Sequence, residues 1–348
     1  MSVNIEILEE FDNHKLVSFA VDKKTKLEAY IALHRGSLTS PSFGATRIAR
    51  YANKEDALRD ALRLSRLMSY KAAMAGLDYG GGKGVILLPA GVNKADREKI
   101  IASYTEAVNY FAGHFVTGAD VGVTNSDLKI MHANSEFIVG VRSNPVLYTA
   151  QGLFKAIEFC VQARFGNKDL KKRSFAIQGV GKIGEALLHI LYKKAGRIVI
   201  TDVDSVRLKE IKKKYPKVEV VSPTAIYKAD VDVFSPCALS NSLTSQTITK
   251  LKAPIICGGA NNQLQDRSVG ELLHSLGIMY APDYVVNSGG LISVVDEYEH
   301  KQFNSARVKT RLNNIVVILK EIFSRSQTMN RATNIIADEM AEEIFNGR

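Results

Sequence analysis

The sequence predicts an α/β protein of two domains, the second a doubly wound parallel sheet with helices closing the chain. Three observations carry that expectation. The chain has 348 residues, more than the roughly 250–300 at which a single hydrophobic core stops growing. From Ser174 onward, short β-rich runs alternate with helical patterns, as βαβ units of a parallel sheet do. A glycine-rich turn, Gly179-Val180-Gly181-Lys182-Ile183-Gly184, stands between the first of those runs and the helical pattern behind it.

Composition narrows the class. A hydrophobic fraction of 46% and a charged fraction of 24%, without low-complexity tracts, describe a folded chain with sizeable cores. The opening residues Met1 to Glu6 carry no basic start or apolar run, and no stretch is long enough to span a bilayer. The expectation is a cytoplasmic protein without a membrane partner. Cys160, Cys237 and Cys257 are odd in number and lack C-x-x-C spacing, and the seven histidines are scattered. Neither a disulfide framework nor a metal site is expected. The charge of +10 raises nucleic-acid binding, but the basic clusters Lys168 to Arg173 and Lys209 to Lys214 are short and read as solvated surface. No nucleic-acid partner is expected.

The first domain is expected over 1–145. Asn53 is a good N-cap, and Ala57, Ala61, Leu64 and Met68 follow three or four residues apart on one helical face that Lys71 continues. A second amphipathic segment runs from Asp96 to Phe111. Arg142-Ser143-Asn144-Pro145 reads as the linking loop. The second domain, 146–325, holds the strands Phe175–Ile177, Ile198–Ile200, Val218–Val221, Val231–Phe234 and Pro254–Cys257. A helical face of Val308, Leu312, Ile315, Leu319 and Ile322 follows, and a closing helix over 326–348 is placed to pack back on the first domain.

The glycine turn has the form G-x-G-x-x-G with an apolar strand before it and the helical run Glu185 to Leu191 after it. In that context Gly179 permits a tight turn, Gly181 admits a pyrophosphate to the backbone, and Gly184 lets helix and strand pack closely. The helix start supplies unpaired N–H groups to the phosphates. Asp202, at the end of the next strand, would accept hydrogen bonds from both ribose hydroxyls and repel a 2′-phosphate. The turn therefore reads as a Rossmann-type NAD site, with NAD preferred to NADP.

Three ionisable residues outside that site invite explanation. Lys71 on an apolar helix face either holds a carboxylate or snorkels to solvent. In Gly80-Gly81-Gly82-Lys83-Gly84, four glycines surround one lysine ahead of the strand-like Val85 to Leu88, which reads as backbone brought close to a small docked group, a flexible surface loop being the alternative. The spacing is not that of a Walker A motif. A desolvated lysine with a second cation nearby can serve as a base near neutral pH. Asp120, between small residues, either shuttles protons or caps a turn. Asn261 and Asn262 follow the strand ending at Cys257, where folds of this kind bind ligands.

Together these stretches resemble the Glu/Leu/Phe/Val amino-acid dehydrogenase family, and within it the leucine and phenylalanine dehydrogenase branch. The matching motifs are Gly44-Ala45-Thr46-Arg47, Tyr70-Lys71, Gly80 to Lys83, Asp120-Val121-Gly122, Thr149 to Gly152, the Gly179 turn, Ser235 to Leu239, Ala260 to Leu264 and Tyr280 to Gly290. The resemblance implies an N-terminal α/β substrate domain, a Rossmann-type NAD domain and C-terminal helices. It implies reversible oxidative deamination of an L-amino acid to a 2-oxo acid and ammonium. Lys71 would bind the substrate carboxylate with Asn262 and the backbone around Gly44 and Ala45. Lys83 would be the general base and Asp120 the proton carrier. Thr149 would anchor the nicotinamide carboxamide, with Cys237, Ala238 and Asn261 also on the cofactor side. The residues aligned with the family's side-chain pocket, Phe43, Gly118, Leu291 and Val294, carry no charge, which disfavours glutamate. Gly118 leaves room and Leu291 resembles the phenylalanine and tryptophan enzymes, whereas Phe43 fills space. Leucine and other branched-chain substrates are favoured, with phenylalanine the alternative. Homo-oligomerisation is expected from the family. A protein that binds NAD without catalysis is the alternative of a different class.

Overall fold

A computed structural model describes residues 5–36, 40–238 and 241–346. The chain divides into two compact units: Met1–Ser143 with Val294–Phe303, and Asn144–Ser293 with Asn304–Arg348.

The first unit is built on β1 (Leu16–Asp22), β2 (Leu27–Leu33), β3 (Ser42–Ala49), α1 (Lys54–Met74), β4 (Gly80–Leu87), α2 (Lys94–Asn109), β5 (Phe115–Val116) and α3 (Asn125–Asn134). Its sheet runs β1-β2-β4-β3-β5. β1, β2 and β4 pair antiparallel, while β3 pairs parallel to β4 and β5. Helix α1 starts where expected: the Asn53 side chain accepts from the Asp56 N–H at 2.8 Å, and acidic Glu55 and Asp56 lie at the positive end of the helix dipole. Its apolar face, Ala57, Leu58, Ala61 and Leu62, packs on Ala32 and Val85 of one sheet face. Helix α2 covers the other face, with Ile100, Ile101, Tyr104 and Val108 against Ala29, Ile31, Ile48 and Ile86.

The second unit contains α4 (Pro145–Phe165), β6 (Ser174–Gln178), α5 (Lys182–Leu191), β7 (Arg197–Thr201), α6 (Ser205–Lys214), β8 (Glu219–Val220), β9 (Val233–Pro236), α7 (Ser245–Ile248), β10 (Ile255–Ile256), α8 (Arg267–Ser275), β11 (Met279–Tyr280) and α9 (Asp283–Val286). Helices α10 (Gly289–His300), α11 (Ser305–Arg311), α12 (Asn313–Met329) and α13 (Thr333–Asn346) complete the chain. The sheet order β11-β10-β9-β6-β7-β8 is wholly parallel. It is the doubly wound order, reversing between β6 and β9, and ligands bind such sheets beyond the carboxyl ends of the strands at that reversal.

Two expectations about domain limits differ from the structure. Residues 294–303, the last part of α10 and the turn after it, belong to the first unit rather than to a continuous second domain. The reason is local: the Glu297 carboxylate accepts from the N–H groups of Gly140, Arg142 and Ser143 at 3.2, 3.3 and 2.9 Å. The closing helix α13 stays in the second unit instead of returning to the first. Thr333 Oγ1 donates to the Tyr280 carbonyl at 2.7 Å and Asp338 accepts from the Tyr284 hydroxyl at 2.9 Å, which seats α13 beside β11 and α9. No helix among the described residues is long and apolar enough to cross a membrane.

Candidate active site

In the first unit the parallel register sets Phe43 beside Gly81, Ala45 beside Lys83 and Arg47 beside Val85. Strand residues alternate faces, so Phe43, Ala45, Arg47, Gly81 and Lys83 share one face, the one α1 covers. The glycines around Lys83 are therefore not a surface loop, the alternative reading, but part of strand β4. What approaches them is the protein itself. A Cβ at Gly81 would lie 2.1 Å from the Ser69 nitrogen of α1, and one at Gly84 would lie 1.8 Å from the Tyr104 hydroxyl. The Gly81 N–H donates to Ser69 Oγ at 2.8 Å, and Lys71 follows two residues later in the last turn of α1, half-buried.

Lys83 is only 4% exposed. Its Nζ lies 2.5 Å from Asp120 Oδ2. The Asp120 backbone is fixed to β3, its N–H donating to the Thr46 carbonyl at 3.0 Å. Arg47 Nε reaches the same Asp120 oxygen at 3.2 Å, while its Nη1 bonds Asp60 at 2.7 Å. Asp60 also accepts from the Tyr51 hydroxyl at 2.8 Å and from Arg63 at 2.7 Å. Burial pushes the Lys83 ammonium below its ordinary pKa; Asp120 opposes that shift and Arg47 adds to it. Burial would raise the Asp120 carboxyl, but Lys83 and Arg47 outweigh it and hold the group well below the usual carboxylate range. The result is a contact in which the resting site favours the Asp120 carboxylate as the anion and in which the Lys83 ammonium holds its proton less tightly than an exposed lysine does.

Phe43 is fully buried, its ring 4.6 Å from that of Tyr79 and 5.1 Å from that of Tyr298. Gly118 does not open the room expected of it. A Cβ there would sit 2.8 Å from the Val139 carbonyl oxygen, so the glycine accommodates backbone and the space beside it is already filled. Val294 is half-buried on the part of α10 that joins the first unit. Leu291 and Asn262 belong to the second unit.

There, the turn from Gly179 to Gly184 joins β6 to α5. Gly179 has φ +91°, and a Cβ on it would lie 2.8 Å from Ala238, the residue after Cys237 at the exit of β9. The two loops flanking the reversal of strand order thus touch, with the Cys237 N–H donating to the Gln178 carbonyl at 2.7 Å. Gly181 is the N-cap of α5 and makes no side-chain cap bond; nothing lies within 4 Å of where its Cβ would be. Lys182 and Ile183 open the helix, and Gly184 is buried against the Gly179 carbonyl. Asp202 Oδ2 accepts from the Val180 N–H at 2.8 Å and its Oδ1 from the Asp204 N–H at 3.0 Å, so this carboxylate shapes the turn. Thr149 is buried on α4. Asn261 accepts from Asn287 at 2.8 Å, and Asn262, in the left-handed region at φ +51°, accepts at its carbonyl from the Asn241 N–H at 2.7 Å.

Two family models match this chain: Glu/Leu/Phe/Val dehydrogenase, dimerisation domain, over residues 14–136, and Glutamate/Leucine/Phenylalanine/Valine dehydrogenase over residues 200–343. The chain belongs to the Glu/Leu/Phe/Val dehydrogenase family. It is an amino-acid dehydrogenase. This dehydrogenase is 39% identical to an L-tryptophan dehydrogenase of Nostoc punctiforme, over 96% of this chain and 94% of that protein. Identity to leucine dehydrogenase of Geobacillus stearothermophilus is 34%, over 97% and 91%. For phenylalanine dehydrogenase of Thermoactinomyces intermedius it is 37%, over 95% and 91%. The crystal structure of the Nostoc punctiforme L-tryptophan dehydrogenase superposes with a TM-score of 0.81 at 37% identity, over 96% of this chain and 97% of that one.

In this dehydrogenase the first unit brings Lys83 and Asp120 into contact. Reasoning from sequence misses Asp60, Tyr51, Tyr79 and Tyr298, and gives Arg47 no role. For Arg47 a signal exists, since it lies in the Gly44 to Arg47 stretch two residues beyond Ala45. Asp60 offers none, being an ordinary polar position on an amphipathic helix.

Proposed function

We propose that this enzyme catalyses NAD-dependent, reversible oxidative deamination of an apolar L-amino acid, with leucine and other branched-chain substrates preferred. The observation that carries the reading is the contact of buried Lys83 with Asp120, on the same sheet face as the uncharged Phe43. The second unit suits a dinucleotide: an open Gly181, the uncapped start of α5 and the Asp202 carboxylate fit a pyrophosphate and an unphosphorylated ribose. Bound NAD would supply the hydride acceptor for the substrate Cα. Thr149 would anchor the carboxamide, with Cys237, Ala238 and Asn261 along the cofactor.

Lys71, with Asn262 and the Gly44–Ala45 backbone, would hold the substrate carboxylate. Lys83, as the neutral amine, would take a proton from the water that attacks the imino carbon. Asp120, ionised in the resting site, would transiently take up protons from the substrate nitrogen and return them, so that ammonium leaves and the carbonyl forms. Self-association belongs to the same reading, supported by the description of the matching N-terminal model as a dimerisation domain.

Branched-chain preference is supported by the space Phe43 occupies and by the Val139 carbonyl beside Gly118. The identities of 39% and 37% to tryptophan and phenylalanine dehydrogenases, and the ring cluster of Phe43, Tyr79 and Tyr298, favour an aromatic substrate as the second reading. One methylene is worth only about 1–3 kcal/mol of discrimination, so secondary activities are expected. A panel of kcat/KM values for Leu, Val, Ile, Phe, Trp and Glu tests the choice. Leucine should lead; Phe or Trp in front would install the second reading, and dominant Glu activity would overturn both.

A further inference from the structure

The contacts around Asp120 contain an imbalance that the roles of Lys83 and Asp120 do not explain. Two cations, Lys83 and Arg47, address one oxygen of one carboxylate. Arg47 is held on its other side by Asp60, which Arg63 and Tyr51 also engage. Arg47 and Arg63 thus balance Asp60 and Asp120, and the group is neutral without Lys83. A proton on Lys83 makes it +1 in a largely buried setting, which burial disfavours. Were Arg47 absent, Lys83 would be the sole cation on Asp120. Losing its proton would then leave a half-buried carboxylate with no cation beside it, which is unfavourable.

We propose that Arg47 is a positioning residue for the reaction, a permanent countercharge that keeps Asp120 ionised and oriented in the resting site so that Lys83 is free to release its proton. The idea rests on the reading of Lys83 as base given above. The chemistry of the side chain suits that role, because the guanidinium does not lose its proton. Its forked donors bridge Asp60 and Asp120, which a lysine ammonium does with less directional control. The neighbouring charges agree in sign. Asp120 and Asp60 raise the Lys83 pKa and Arg47 lowers it.

The test is the pH dependence of kcat/KM for amino-acid oxidation, whose acidic limb follows deprotonation of the base. In Arg47→Gln the limb should move up by about one pH unit, with roughly tenfold loss below the limb and recovery above it. Arg47→Lys, which keeps a charge, should restore most of the wild-type profile. Asp60→Asn should move the limb the opposite way, to lower pH. The dissociation constant for NADH, read by fluorescence, should stay unchanged in all three. An Arg47→Gln enzyme with kcat/KM lowered equally at every pH would reduce Arg47 to a structural role and overturn the proposal. Should Arg47→Gln fail to fold, Asp60→Asn decides, and a limb that stays or moves up overturns it. Lys83→Ala separates the two readings: a limb that survives there removes Lys83 as base and the proposal with it. A limb lost with Lys83 but unmoved by Arg47→Gln overturns the role of Arg47 alone.

Discussion

The two units build their sites from opposite materials. In the second unit the turn from Gly179 to Gly184 is made of bare backbone: an uncapped helix start, an open Cβ position at Gly181 and a single carboxylate, Asp202, bracing the turn through the Val180 N–H. In the first unit the site is made of charge, with buried Lys83 and the half-buried Asp120, Arg47 and Asp60 joined at 2.5–3.2 Å between β3, β4 and α1. Backbone sites tolerate no added atoms, whereas charged sites tolerate no lost partners. The same conservative substitution should therefore fail for different reasons in the two places, and each failure should be confined to its own ligand.

The largest effect is expected from Lys83→Ala. Turnover should fall by about 1,000-fold, the scale of a lost general base. NADH binding should persist, because no part of the glycine turn is altered. Arg47 stays behind as a partner for Asp120, so the variant should still melt cooperatively. Near-normal turnover would remove Lys83 from the chemistry, while a weakened NADH complex would break the separation between the two regions.

The contrast also explains what can be read from the sequence. The Rossmann-type sheet and the Gly179 turn are legible because their signals are contiguous: strand, glycines and helix follow one another, and Asp202 lies at the end of the next strand. The network around Lys83 is legible only in part. Its members come from β3, α1, β4 and the segment after β5, and no local pattern links Asp60 to Arg47. The glycines before Lys83 leave their neighbour unnamed because a lack of side chains looks the same whether it frees the chain, admits a docked group or lets α1 lie against β4. The return of residues 294–303 to the first unit is equally hidden, since α10 is one unbroken helical pattern and the deciding contact is a single carboxylate, Glu297, on three N–H groups.

Within the glycine turn a finer split is expected. Gly179→Ala places a side chain at φ +91° and 2.8 Å from Ala238, which should cost about 1–3 kcal/mol and lower the melting temperature. Gly181→Ala meets no protein atom within 4 Å at a φ of −67°, so stability should change by no more than about 1 kcal/mol, the range for altering an N-cap. NADH affinity should nevertheless drop by about tenfold or more, since the new methyl occupies the approach of the pyrophosphate. Unchanged NADH affinity in Gly181→Ala would show that the dinucleotide lies elsewhere, and the backbone half of the comparison would fall.

The mildest way to separate the units is acid. His14 and His34 pack edge to face at 4.8 Å in the first unit, with Asp12, Arg35, Arg66, Ser65 and Tyr70 around them. Burial lowers the His14 pKa to about 4 and the His34 pKa to about 3, with Arg35 adding to the effect at His34. Both are therefore neutral in the folded protein at pH 7. As pH falls below about 6.5 the unfolded chain takes up protons that the folded one refuses, so stability is lost from there downward until the folded pKa values are reached. Between about pH 6.5 and pH 5 each histidine should remove roughly 2 kcal/mol. Hydrogen exchange at pH 5 should show peptides of β1, β2 and α1 opening while those of β6 and β7 stay protected. His14→Gln should lessen the difference, because the amide keeps polar contacts without titrating. Equal loss of protection in both units would mean that acid sensitivity does not reside in this histidine pair.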